Sequence, residues 1–377
     1  MTKVQIWAPN IFEFKGGIQV YSEFLLKALK SYPLKSCRVV LKHDRQVPEQ
    51  ALKDFQSFQF SCCGQWPLSI RTLAFSAELV RLASWEIPDL IITTHLNFTP
   101  LAYYLKQFLG IPYWTVAHGV DAWNITDNHL VKSLLNADLI LSVSQYTRNR
   151  LLDEHNLDVK KIEFLPNTFN ATNFYPLPKS STLLKRYNLT DQQPIILTVA
   201  RLDSTERYKG YDQIIKALPR VKHQIPNVHY ILGGKGKDRS RIEKLIQDLE
   251  LTDSVTLTGF ISDEELCDHY NLCDVFAMPS KGEGFGIVYL EALACGKPTL
   301  GGNQDGAIDA LCHGEIGVLV DPDNLEKLAE TLILILQGRY PNSVIYQPSM
   351  LRQKVIETYG FVCFQRKLTA LLKNNGF

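Results

Sequence analysis

Short runs of apolar residues alternate along the chain with longer segments whose apolar positions recur every three or four residues. The short runs read as strands and the longer segments as amphipathic helices. In the first half the pattern predicts strands at 4–8, 38–41, 55–60, 89–94, 113–117, 139–143 and 162–165. Helices are predicted at 18–30, 69–84, 98–109 and 130–136, and from a cap at Ser144 to about residue 152. The second half repeats the alternation, with strands at 194–200, 228–232, 255–258, 274–279 and 299–301. Its helices are predicted at 211–221, in a charged stretch ending at 250, after Ser262-Asp263-Glu264-Glu265 as a capping box, and at 287–294. A further helix at 324–337 is predicted with Asp323 as its cap, and a long helical pattern fills 351–372. Strands and helices in strict alternation imply mostly parallel sheets covered on both faces. The stretch PNTFNATNFYPLP at 166–178 has no period and several prolines, and marks a boundary. The expected architecture is α/β: a Rossmann-like domain at 1–168, a second at 169–350, and a C-terminal helix at 351–377, with a cleft between the domains.

Composition narrows this little. A chain of 377 residues suits two domains, and 45% apolar with 21% charged residues is ordinary for a globular protein. A net charge of +1 argues against a dedicated nucleic-acid binder. No apolar run approaches the roughly 20 residues needed to span a bilayer, and no secretory signal precedes the first strand, so a cytoplasmic location is expected. The eight cysteines are scattered without a Cys-x-x-Cys pair, so no zinc site is expected and the thiols read as reduced.

Candidate chemistry lies at strand ends. Residues 280–300 read SKGEGFGIVYLEALACGKPTL, a Gly-rich turn that opens a helix. Free N–H groups at a helix start suit phosphate or another polyoxygen ligand. A carboxylate in that turn repels bare phosphate, but it accepts hydrogen bonds from a diol. Glu283 is thereby matched to sugar hydroxyls and Glu291 to a ribose. Arg201 and Lys209 bracket a loop after a strand, where a guanidinium and an ammonium can clamp a diphosphate. The plainer reading of that loop is a solvated one. His118 ends a strand and precedes Gly119; Asp121 beside it orients it, binds a hydroxyl, or is a turn residue. The pair Gly16-Gly17 opens the first helix without a full Gly-x-Gly-x-x-Gly fingerprint. Asp321-Pro322-Asp323 has metal-motif spacing but stands where a helix cap belongs. Residues 24–53 hold seven basic residues against two acidic ones, beside Phe24, Leu25 and Leu29. With Trp66-Pro67-Leu68 they form a candidate patch for an anionic membrane, the alternative being a solvated helix face.

Taken together, Gly16-Gly17, His118-Gly119, Arg201 with Lys209-Gly210, Gly259-Phe260, and Glu283 to Glu291 with Gly296-Lys297-Pro298 resemble the retaining glycosyltransferases of family four, which have the GT-B fold. The resemblance covers nearly the whole chain; the joint pattern is specific, while no single part is. It implies that Arg201 and Lys209 hold the donor diphosphate, Glu283 the transferred sugar and Glu291 the ribose. It implies backbone contacts from Gly284, Phe285, Gly286 and Ile287 to sugar or phosphate, and from Phe260 and Ile261 to the base. His118 is implied to face the donor sugar from the other domain, Gly17 to let the first loop approach, and the C-terminal helix to cross back onto the N-terminal domain. His118, Arg201, Lys209 and Glu283 are the implied catalytic set, with no metal and no cofactor other than the nucleotide sugar as substrate. UDP-glucose is the preferred donor on family frequency and GDP-mannose the alternative. The acceptor is expected to be a saccharide or lipid-linked saccharide of polysaccharide or envelope assembly. Two readings from other classes stand beside this one: a dinucleotide-dependent oxidoreductase, and a catalytically silent sugar-nucleotide binder.

Overall fold

Two all-parallel sheets organise the chain, seven-stranded in the first half and six-stranded in the second. The computed structural model describes residues 1–14 and 16–377; Lys15, within the loop that follows the first strand, lies outside the described residues. Contacts divide the chain into one unit of residues 1–168 with 362–377 and another of residues 169–361.

The first unit runs β1 (Thr2–Ala8), α1 (Gly17–Lys30), β2 (Leu34–Leu41), α2 (Glu49–Asp54), β3 (Phe58–Cys62), α3 (Leu68–Glu86), β4 (Leu90–Thr93), α4 (Thr99–Leu109), β5 (Tyr113–Ala117), α5 (Asn128–Leu135), β6 (Leu139–Ser142), α6 (Gln145–Glu154) and β7 (Ile162–Phe164). The strand order is β3-β2-β1-β4-β5-β6-β7. Strands buried on both faces read as unbroken apolar runs, and β4, β5 and β6 are buried at every position.

The second unit contains α7 (Ser181–Arg186), β8 (Ile195–Val199), α8 (Tyr211–Gln224), β9 (His229–Gly233), α9 (Arg239–Asp248), β10 (Val255–Gly259), α10 (Asp263–Leu272), β11 (Val275–Met278), α11 (Ile287–Ala294), β12 (Thr299–Gly302), α12 (Ala307–Ala310), β13 (Val318–Val320), α13 (Leu325–Leu336) and α14 (Pro348–Tyr359). Its order, β10-β9-β8-β11-β12-β13, reverses direction between β8 and β11. Neighbouring crossovers leave that point in opposite directions, which opens a crevice beyond the strand C-termini where ligands of such sheets bind. The loops that leave β8 and β11 carry Arg201–Lys209 and Glu283.

The long C-terminal pattern is two helices rather than one. Gly360 is extended (φ −63°, ψ 157°) and forms a bridge to Phe169. It separates α14 from α15 (Phe361–Asn374). The second of these belongs to the first unit, where Phe364 meets the Tyr21 ring edge-on at 5.5 Å and Phe377 meets Trp114 at 5.7 Å.

Local chemistry corrects other expectations. The third strand lies at 58–62, because Phe55 ends α2 through its N–H to Ala51 O (2.9 Å) and stacks on Phe58. The Ser262 side chain makes no cap bond, the Glu265 N–H donating to Ser262 O at 3.1 Å instead, and the Glu265 carboxylate pairs with Arg186 at 2.6 Å rather than reaching back to the Ser262 N–H. Asn324, not Asp323, caps α13 by accepting from Lys327 N at 2.9 Å, while Asp323 pairs with Lys281 at 2.6 Å. The short elements α7, α12 and β13 fall below the length at which periodicity is readable.

Candidate active site

The loop after β8 is built to hold cations near the sheet edge. Asp203 accepts from Thr205 N (3.1 Å) and starts a tight helical stretch, Ser204–Lys209, that breaks at Glu206 (φ −114°, ψ 21°). Gly210 ends it at φ 82°, and a Cβ there would lie 2.1 Å from Pro279 O. Only glycine permits both that angle and that approach, so the loop is pressed against the end of β11. Lys281 N donates to Tyr208 O at 2.9 Å and joins the two segments. Lys209 Nζ consequently reaches Glu283 Oε2 at 3.0 Å. Glu206 stands on the same spot, 2.9 Å from Arg201 and 3.7 Å from Lys209. Burial pulls the Lys209 ammonium down, but Glu283, Tyr208 and Glu206 outweigh it, and the net direction is up, so Lys209 is charged.

The Glu283 turn is fixed from below by Asp305. Its Oδ2 accepts from Ser280 Oγ (2.6 Å) and Glu283 N (2.7 Å), and its Oδ1 from Ala307 N (3.0 Å). Gly306 N returns a bond to Glu283 O at 2.8 Å. Burial pushes the Asp305 carboxyl up to about 6, against the hydrogen bonds that favour its charged form. Tyr289, on α11, donates to Met278 O at 2.6 Å and ties the helix to β11. Gly286 (φ 90°) precedes α11, whose first turn carries no side-chain cap and no acidic residue. Its leading N–H groups therefore form an electropositive end. Glu291 is held by Tyr270, whose hydroxyl donates to Oε2 at 2.7 Å.

The other expected donor residues divide into side chains and backbone. Phe285 is core: it is buried and meets Tyr359 edge-on at 5.2 Å, so only its backbone can serve a ligand. Ile261 is buried and its side chain crowds Gly233. Gly284 is buried with its carbonyl against Gly306, and Ile287 is half-buried at the head of α11. Phe260 is 66% exposed, with Lys235 Nζ 5.2 Å from its ring centroid.

In the first unit, β5 delivers His118. Its Nε2 lies 3.0 Å from Thr94 O, which fixes the proton there and leaves Nδ1 as an acceptor. Tyr21 meets the imidazole edge-on at 5.1 Å. Burial holds His118 down to about 3, against the pull of the Thr94 carbonyl, so it is neutral. Asp121 Oδ1 accepts from His118 N at 3.1 Å, and burial pushes this carboxyl up to about 7. Asp121 thus orients the backbone at His118. Gly17 heads α1 with open space beside its Cα. The loop before it is pinned by buried Asp44, which accepts from Ile11 N (2.6 Å) and Glu13 N (2.9 Å).

Phe24, Leu25 and Leu29 are buried in the first unit, so the apolar side chains expected to accompany the basic stretch at 24–53 do not face solvent. Lys27 pairs with Glu23 and Arg38 with Glu86. Exposed apolar side chains lie instead at Trp66, Leu68, Ile70 and Leu73. Arg71 donates there to Trp66 O and Gly64 O, and Gln65 donates to Arg45 O. Among the described residues, no three His, Cys, Asp or Glu side chains gather as a metal site, and no helix is long and apolar enough to cross a membrane. All eight cysteines are free.

Sequence reasoning missed Glu206, Asp305 and Tyr270. Glu206 had a readable signal: it stands three residues before Lys209, a spacing that places two side chains on one helical face. Asp305 lies 22 residues from Glu283, and nothing local ties them.

Comparison with known proteins bears on the family and the fold. The model of Glycosyltransferase Family 4 matches residues 15–172, and that of Glycosyl transferases group 1 matches residues 180–350. The chain is 33% identical over 210 residues to the GDP-mannose-dependent alpha-(1-6)-phosphatidylinositol monomannoside mannosyltransferase of Mycobacterium tuberculosis, covering 54% of this chain. That match spans about half of the relative's length, 53%. A GDP-mannose-dependent monoacylated alpha-(1-6)-phosphatidylinositol monomannoside mannosyltransferase of Corynebacterium glutamicum is 32% identical over 291 residues, 72% of this chain and 74% of that one. Among solved structures, sucrose-phosphate synthase of Thermosynechococcus elongatus superposes with a TM-score of 0.82 at 22% identity, covering 100% of this chain and 99% of that chain. Anabaena HepE in complex with UDP-glucose gives 0.80 at 20% identity, covering 99% and 100%. At such identities the structures speak for the fold, which is GT-B. The two models on successive halves, with the Corynebacterium relative across most of its length, establish that the chain belongs to glycosyltransferase family 4.

Proposed function

We propose that the chain transfers a hexose from a nucleoside-diphosphate sugar to a saccharide or lipid-linked saccharide, with retention of configuration and without a metal ion. The observation that carries this reading is Lys209 joined to Glu283 at 3.0 Å at the point where the strand order reverses, with Arg201 held nearby through Glu206. Two cations for a diphosphate thereby sit beside a carboxylate for sugar hydroxyls. Family membership displaces the oxidoreductase reading. The presence of both cations and both glutamates favours an enzyme over a silent binder.

The reaction breaks the bond between the anomeric carbon and the diphosphate oxygen, and the electron pair leaves with the diphosphate. Arg201, Lys209 and the electropositive end of α11 offset that charge as it develops. The acceptor hydroxyl adds from the face the diphosphate leaves, and its proton passes to a phosphate oxygen. No carboxylate is assigned as a nucleophile, in contrast to most retaining glycosidases. Glu283 takes sugar hydroxyls, and Glu291, already oriented by Tyr270, takes the ribose diol. His118, neutral and with Nδ1 as its acceptor, takes a sugar hydroxyl rather than acting as a cation. The exposed Phe260 with Lys235 flanks the base.

The names of the curated relatives support GDP-mannose ahead of UDP-glucose, the donor preferred from family frequency. Their phosphatidylinositol-based acceptors also support a lipid-linked substrate and work at the cytoplasmic membrane face. Exposed Trp66, Leu68, Ile70 and Leu73, with Arg45 and Arg71 near the same loop, supply both apolar and basic contacts for an anionic bilayer.

Purified Arg201→Ala is expected to lose about 10²–10³ in kcat, as for removal of one preorganised donor to a developing anion. Unchanged turnover in a radiolabelled transfer assay would remove Arg201 from the clamp. Donor affinity is expected to fall as pH drops through about 6, because a proton on Asp305 takes the place of a bond it accepts from Glu283 N or Ser280. Calorimetric titration from pH 8 to 5 measures this; Asp305→Asn should bind weakly throughout with a flat profile, and a wild-type step in that variant contradicts the assignment. The double variant Trp66→Ser with Leu68→Ser should pellet several-fold less with phosphatidylglycerol vesicles than the wild type. Equal pelleting would place membrane contact elsewhere.

A further inference from the structure

Glu206 is the carboxylate that reaches both Arg201 and Lys209, the two cations that face a diphosphate, while Glu283 pairs with Lys209 alone. It sits at the break in Ser204–Lys209, off helical geometry, with Oε1 2.9 Å from Arg201 Nη1 and Oε2 3.7 Å from Lys209 Nζ. One carboxylate thus bridges both cations, one oxygen to each. A diphosphate held by the same two cations presents oxygens in the same manner. With Arg201 and Lys209 positive and Glu206 and Glu283 negative, the four side chains carry no net charge before any ligand arrives. The Arg207 guanidinium is directed elsewhere, to Asp238 at 3.0 Å, and does not alter that balance at the bridge.

We infer that the Glu206 carboxylate is an internal stand-in for the diphosphate: the nucleotide binds by exchanging with it, and the product leaves as it returns. This rests on the reading of Arg201 and Lys209 as the diphosphate clamp. The chemistry of the product gives the exchange a purpose. When the bond to the sugar breaks, the terminal phosphate gains a charge, so nucleoside diphosphate is more anionic than the donor it came from. Fixed cations alone would therefore hold product more tightly than substrate. A tethered carboxylate offsets that excess by competing for the same two partners. Its effect is largest on the most anionic ligand, so Glu206 discriminates against product retention more than against donor binding. Glu206 is in this sense a further residue of the donor site, acting through Arg201 and Lys209.

The test is calorimetric titration of GDP and UDP into the wild type, Glu206→Gln, Glu206→Ala and Arg201→Ala, and into Arg201→Ala combined with Glu206→Gln. Removing a competing negative charge at this distance should tighten nucleoside diphosphate roughly tenfold or more in Glu206→Gln and Glu206→Ala. The product inhibition constant should fall in parallel, and kcat should drop as release slows. In the Arg201→Ala background the gain should shrink, because one of the contested cations is gone. Weaker or unchanged nucleotide affinity in both Glu206 variants overturns the inference and assigns the residue a scaffolding role. If Arg201→Ala binds as tightly as the wild type, it is the clamp itself that fails. If Arg201→Ala weakens binding while the Glu206 variants do not tighten it, the clamp stands and the stand-in falls.

Discussion

The contact between Lys209 and Glu283 is the interaction about which the loops leaving β8 and β11 are arranged. It joins the loop after β8 to the turn after β11, and it forms because those two strands are neighbours at the reversal of the sheet order. Each side is prepared separately. Gly210 allows the first loop to lie against Pro279, where any side chain would collide with the carbonyl. Asp305 organises the second by collecting the Glu283 amide, the Ser280 hydroxyl and the Ala307 amide on one buried carboxylate. The ion pair is then partly buried and flanked by Glu206 and Tyr208, which keeps Lys209 charged despite its loss of water.

The first unit follows the same physical rule with a different outcome. Its loop after β1 is pinned by a buried aspartate, as the Glu283 turn is by Asp305, but the ring it presents at the end of β5 is uncharged. His118 Nε2–H donates to Thr94 O and Tyr21 meets the ring edge-on, so His118 offers a lone pair at Nδ1 instead of a charge. Asp121 fixes the backbone beneath it. His118 is therefore an uncharged hydrogen-bond acceptor at the end of β5.

The α/β class, the parallel sheets and most element positions were legible because strands buried on both faces leave unbroken apolar runs, as in LILS of β6 and VFAM of β11. The turn at Glu283 was legible as a turn because glycines stand between the apolar run of β11 and the helical period of α11. What escaped was set by distant or very short interactions. No local pattern links Asp305 to Glu283, and Tyr270 reaches Glu291 from the preceding helix. The Ser262 capping box was a sound local reading overridden by Arg186, which engages Glu265 from α7. The long C-terminal pattern hid a break because Gly360 interrupts the chain without disturbing the spacing of apolar residues on either side. The apolar residues near the basic stretch were misjudged for a related reason: Phe24, Leu25 and Leu29 lie on the face of α1 that its own unit buries.

The account turns on whether the pair Lys209 and Glu283 forms a nucleotide-sugar site. The most direct measurement is calorimetric titration of GDP-mannose and of UDP-glucose into the wild type and into Lys209→Met, which keeps the aliphatic stem and removes the charge. The account predicts saturable one-to-one binding of at least one donor to the wild type and its loss in the variant, with the fold of the variant intact by circular dichroism. Equal binding of that donor by both proteins would contradict it.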